Sequence, residues 1–146
     1  MRRGYSLSLA CVATILVGGA HADADWQLVD TLATPGGGGG QVSVSLDISS
    51  IKQRQGVLTA WVRMNHTKPQ RDAPNLPKYV SELHMFALDC DGERLAIVSS
   101  SLYDAKGNVV RTNSTPSPVL YSWQPIAPDT YGAKLLDRVC KAATQH

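Results

Sequence analysis

Ser81, His84 and Asp89 are the residue types of a hydrolytic triad, and they fall within one short stretch. The chemistry they would perform is acyl transfer, with a histidine taking the serine proton while a carboxylate holds the imidazole tautomer. Their spacing opposes it. Side chains alternate along an extended strand, so Ser81 and His84 point to opposite faces. No Gly-x-Ser-x-Gly elbow surrounds any serine, and His84 reads as a structural or surface histidine. His66 and His84 form no His-x-x-x-His pair and the cysteines no Cys-x-x-Cys, so metal binding has no local pattern. Gly36 to Gly40 match a phosphate loop in composition only, because no lysine follows and an alternating strand comes next. We therefore expect no catalytic, cofactor-binding or metal residue; the alternatives are a periplasmic hydrolase of unknown substrate or a purely structural envelope protein.

The remaining reactive side chains are three cysteines. Cys11 lies inside an apolar run, Leu7 to Gly19, that follows Arg2 and Arg3 and ends at Ala20-His21-Ala22. That order is a secretory signal with a small-x-small cleavage site, and Ala22-Asp23-Ala24 offers a second site two residues on. The run is shorter than the ~20 residues of a membrane span. It continues past Cys11, whereas a lipid-modified cysteine should close it. The expected organisation is residues 1–22 as signal peptide and 23–146 as a single domain with no transmembrane segment, placed in the periplasm, at the cell surface or secreted. Losing Arg2 and Arg3 leaves twelve basic residues against twelve acids. A neutral domain without a basic cluster gives no footprint for nucleic acid. Cys90 and Cys140 are then the cysteines of the mature chain, and an oxidising compartment favours a bridge between them.

The elements that would position these residues follow from periodicity. Asp25 to Val29 alternates partially, with Trp26 placed to seal a sheet edge or a sheet–helix junction. Val42, Val44, Leu46 and Ile48 alternate with Ser43, Ser45 and Asp47 without a fault, which predicts a strand with one buried face. Ser49 to Lys52 turns the chain. In the strand Val57 to Asn65, Leu58, Ala60, Val62 and Met64 share one face, while Trp61 points the other way and is expected under a second layer. Residues 66–78 hold Pro69, Pro74 and Pro77, so a loop is expected there. Lys68, Arg71 and Lys78 make it the candidate contact loop.

The strand Val80 to Cys90 places Glu82, His84, Phe86, Leu88 and Cys90 on one face and Leu83, Met85 and Ala87 on the other. Asp91-Gly92 turns into Arg94 to Tyr103, and Asp104 to Asn108 turns into Val109 and Val110. Strands this closely spaced favour an antiparallel meander. After Pro128, Asp129 or Thr130 can cap a helix whose stripe is Leu135, Leu136, Val139 and Cys140. The expected fold is α+β: an antiparallel sheet of about five or six strands packed with a short C-terminal helix and one disulfide, Cys90 to Cys140.

Trp26, the segment Asp47 to Ile51, Val57 to Arg63, Leu88-Asp89-Cys90 with the following Leu95 to Val110, and Trp123 to Pro128 before Val139-Cys140 occur in this order. On those residues the chain resembles the surface-adhesin protein E family of Gram-negative bacteria. The resemblance implies a compact antiparallel sheet packed with helix and held by a cysteine pair. It also implies an envelope-associated or secreted, adhesin-like protein-binding domain without catalytic activity. Its partners would be a protein at the cell envelope or a host extracellular-matrix protein.

Overall fold

The computed structural model describes residues 23–34, 39–54, 56–115 and 121–144. The signal segment, Gly36 to Gly38 and the stretch with Pro116 and Pro118 lie outside the described residues. The strands are β1 (Trp26–Ala33), β2 (Gln41–Asp47), β3 (Lys52–Arg54), β4 (Val57–Gln70), β5 (Tyr79–Asp89), β6 (Arg94–Tyr103), β7 (Val109–Ser114) and β8 (Gln124–Pro125). A 3-10 turn, Ile48–Ser50, follows β2, and a single helix, α1 (Tyr131–Ala143), closes the chain.

All pairings are antiparallel, in the order β1-β2-β4-β5-β6-β7. The short β3 lies beside β2 along the same side of β4, and β8 shares the far side of β6 with β7. The meander expected from the turn residues is present, with these two short strands added. Asp104 holds the β6–β7 turn by accepting from the amides of Lys106 and Asn108 at 2.8 and 2.9 Å, and Gly107 supplies the left-handed residue at φ 82°. At the β5–β6 turn Asp89 accepts from the Gly92 amide at 3.0 Å, and a Cβ on Gly92 would stand 2.6 Å from that carboxylate. Glycine is needed there for closeness, while the positive φ falls on Glu93.

The core lies on one face of the sheet. Val44 and Leu46 of β2, Leu58, Ala60 and Val62 of β4, and Phe86 and Leu88 of β5 meet Leu135 and Val139 of α1. These are the alternating positions of each strand and the i, i+4 positions of the helix, so period two meets period 3.6. Thr130 caps α1 by accepting from the Ala133 amide. Arg138 donates to the Leu28 carbonyl at 2.7 Å and Lys134 pairs with Asp30 at 2.8 Å, which ties the helix to β1.

Cys90 and Cys140 form the disulfide, with Cα atoms 6.1 Å apart. Cys90 sits one residue beyond β5, at the start of the turn, rather than within the strand. Both cysteines pack half-buried against the core.

Two expectations fail for physical reasons. The stretch from His66 to Gln70 is strand, not loop, so Lys68 belongs to β4 and only Arg71 and Lys78 stand at the ends of the loop 71–78. Pro69 is tolerated because the β4–β5 register slips between Asn65 and Gln70, where a ladder donor is not required. Trp61 has no second layer over it among the described residues and is only half-buried. One helix with one apolar stripe covers one face, and Trp61 is on the other.

Candidate functional site

The three triad-type residues are dispersed. The Ser81 hydroxyl donates to Asn65 Oδ1 at 2.8 Å, and Asp89 accepts from Arg94 Nε at 2.7 Å and from Gly92. Asp89 is five positions along β5 from His84, about 17 Å at strand rise. No relay between these residues can form.

His84 instead enters a cluster that local spacing did not reveal. His66 Nε2 lies 2.6 Å from Glu82 Oε1, and His84 Nε2 lies 2.8 Å from Glu82 Oε2. Cross-strand pairing explains the meeting, since Met64 faces Glu82, Val62 faces His84 and Val42 faces His66. All three side chains thus share the helix-covered face, with side-chain exposures of 10, 15 and 9%.

Burial pushes the Glu82 carboxyl up, but the hydrogen bonds from His84 and His66 outweigh it and hold it below the ordinary value. An ionised carboxylate only accepts, so both rings carry their proton on Nε2. Each Nδ1 is buried without a hydrogen-bond partner.

Two tyrosines border the cluster. Tyr79 meets His66 edge-on at 5.8 Å, and its hydroxyl is raised by burial, by its bond to Asp72 and by the Glu82 charge. Burial and the same charge raise Tyr131 at the start of α1. The arrangement holds one carboxylate between two histidine donors. Among the described residues no group of three or more His, Cys, Asp or Glu side chains is set to hold a metal ion.

The signal for this cluster was present. Glu82 and His84 are two apart on the face of Phe86, and His66 continues the face of Val62 and Met64. Ending the strand at Asn65 because of Pro69 hid it.

The contact-loop residues do not converge. Arg71 donates to the Pro74 carbonyl at 2.7 Å within its own loop, and Lys78 is exposed. On the sheet face away from α1, the Arg63 guanidinium lies over the Trp26 ring at 4.2 Å, and its Nε is buried without a hydrogen-bond partner. Trp61 stands two residues from Arg63 on the same face. Opposite them across the ladder are Met85 and Leu83, both half-buried. Trp26 therefore closes the edge of this outer face rather than the sheet–helix junction.

The model of the surface-adhesin protein E family matches residues 26–141, which takes in β1 through nearly all of α1. The chain belongs to the surface-adhesin protein E family. A solved structure of Haemophilus influenzae protein E is similar to it, with a TM-score of 0.51 and 17% identity over 70% of this chain and 80% of that one. A second crystal form of the same protein gives 0.50 and 17% over 67% and 80%. At this identity the likeness shows the shared fold. No curated protein matches the chain. Membership supports an adhesin-like surface protein, and no helix among the described residues is long and apolar enough to cross a membrane.

Proposed function

We propose that the chain is exported, cut after Ala22 or Ala24, and acts without catalysis as an adhesin-like protein-binding domain of the envelope or cell surface. The observation that carries this reading is the outer sheet face, where Arg63 stacked on Trp26 stands beside half-exposed Trp61. Tryptophan and arginine dominate protein-binding hot spots, because each offers large contact area with a polar handle at small entropic cost. Family membership supports the same class of role. Either cut leaves Asp25 in place, whose amide donates to Asp47 at 3.0 Å and whose carbonyl accepts from Ile48.

The test joins location to contact. Producing cells are fractionated, and intact cells are treated with protease to score surface exposure. The mature protein is then titrated against immobilised extracellular-matrix and plasma proteins, beside Trp61→Ala and Arg63→Ala. Exported protein whose binding falls about tenfold in either variant supports the proposal. Recovery in the cytosol alone rejects it, and confinement to the periplasm rejects direct host adhesion.

A further inference from the structure

The two edges of the sheet are finished differently. At β1 the register shifts between Leu28 and Asp30, Arg138 occupies the Leu28 carbonyl, and Lys134 holds Asp30. A bulge and a covering helix are ordinary ways of closing an edge to further strands. The opposite edge, β7, pairs with β6 on one side and has no ladder partner on the other among the described residues. Five of its six residues are exposed. The Thr115 amide donates to the Val98 carbonyl at 2.7 Å, so by alternation the Thr112 N–H and C=O point away from β6.

Beside this edge lies a cavity of about 60 Å³ with apolar walls from Leu76, Pro77, Tyr79, Leu102 and Val110. Its lip is built: Asp72 accepts the Tyr79 hydroxyl at 2.9 Å and pairs with Arg111, fastening the loop 71–78 to β7. The volume suits one small branched side chain, since a water occupies ~30 Å³ of liquid. Basic side chains outnumber acidic ones around it. Arg71 and Lys78 bound the loop, Arg111 is half-exposed at the lip and Lys106 is in the adjoining turn. The nearby acids, Asp72, Asp104 and Glu82, are already engaged.

We propose that β7 and this cavity form a docking site for an extended, acidic segment of a protein partner, which adds a strand to the sheet and seats one small apolar side chain in the cavity. Backbone bonding to Thr112 supplies the ladder, the cavity selects a side chain, and the basic surround selects the flanking carboxylates. This rests on the protein-binding reading above and places a second contact at the β7 edge, away from Trp61 on β4.

The probe is a capped synthetic peptide of alternating valine and glutamate, with a lysine-for-glutamate version as control. It is titrated into the full mature protein while backbone amide shifts are followed by NMR. The expected result is saturable shifts confined to β7 and the loop 71–78, with the lysine version at least about tenfold weaker. Thr112→Pro should remove an outward donor, leave the β6 ladder and the unfolding midpoint unchanged, and weaken the peptide about tenfold or more. Lys78→Glu, at an exposed site, should weaken it several-fold without blocking the edge.

Equal binding by the Thr112→Pro protein, equal binding of both peptides, or shifts centred on Trp61 overturns the inference. So does concentration-dependent dimerisation that protects β7, which would make a second copy the occupant. If the matrix-protein titration succeeds and these shifts fail, only the edge inference falls.

Discussion

Removing the Cys90–Cys140 bridge tests how α1 is held. The two cysteines are separated by 50 positions, and closing a loop of that length removes about 14 cal/mol/K from the unfolded chain, or about 4 kcal/mol at 25 °C. The double variant Cys90→Ala/Cys140→Ala should lose stability of that order. The loss should not abolish folding, because α1 keeps its buried Leu135 and Val139, the Arg138 bond to Leu28 and the Lys134–Asp30 pair. Urea unfolding of the mature proteins gives the difference, and amide exchange read residue by residue shows where it acts. Exchange in α1 should rise more than exchange in the centres of β4 and β5, which the rest of the sheet still flanks. A loss below about 1 kcal/mol, or uniform loosening of sheet and helix, would refute the view that the bridge acts chiefly as a long-range tether for the helix.

Leu135→Ala should cost about 2–5 kcal/mol in the same urea assay, since Leu135 is fully buried against the sheet. Trp61→Ala should cost less than the ~3–5 kcal/mol of a buried aromatic deletion, because its face has no covering layer among the described residues. Glu82 has a folded pKa below its ordinary 4.5, so its contribution to stability is present above that value and is lost as the pH falls through it toward the folded pKa. Glu82→Gln should therefore flatten stability against pH in that acid window relative to the parent, and unchanged slopes would contradict the cluster as drawn. Intact mass of protein from its native host should give a chain starting at Asp23 or Asp25, with Met1 retained or lipid on Cys11 as the refuting result.

Features set by neighbours along the chain were legible without coordinates. The alternation from Val42 to Leu46, the stripe of Leu135, Leu136, Val139 and Cys140, the cap at Asp129 or Thr130 and the Asp-Gly and Lys-Gly-Asn turns each rest on a few consecutive residues, whereas Ile48, expected to continue the strand, lies in the 3-10 turn. Backbone geometry dictates their period. The cysteine pair followed from composition and compartment. What required the fold was everything set by register between strands. The slip between Asn65 and Gln70 lets β4 run past Pro69 and carry His66 to Glu82. The single helix covers the face of Val62 and leaves Trp61 and the Arg63–Trp26 pair outside. The same register leaves β7 at an edge while α1 closes β1. A one-residue shift in pairing would reverse those faces without altering any local pattern, which is why the sequence by itself predicted strands and a bridge but not the site they build.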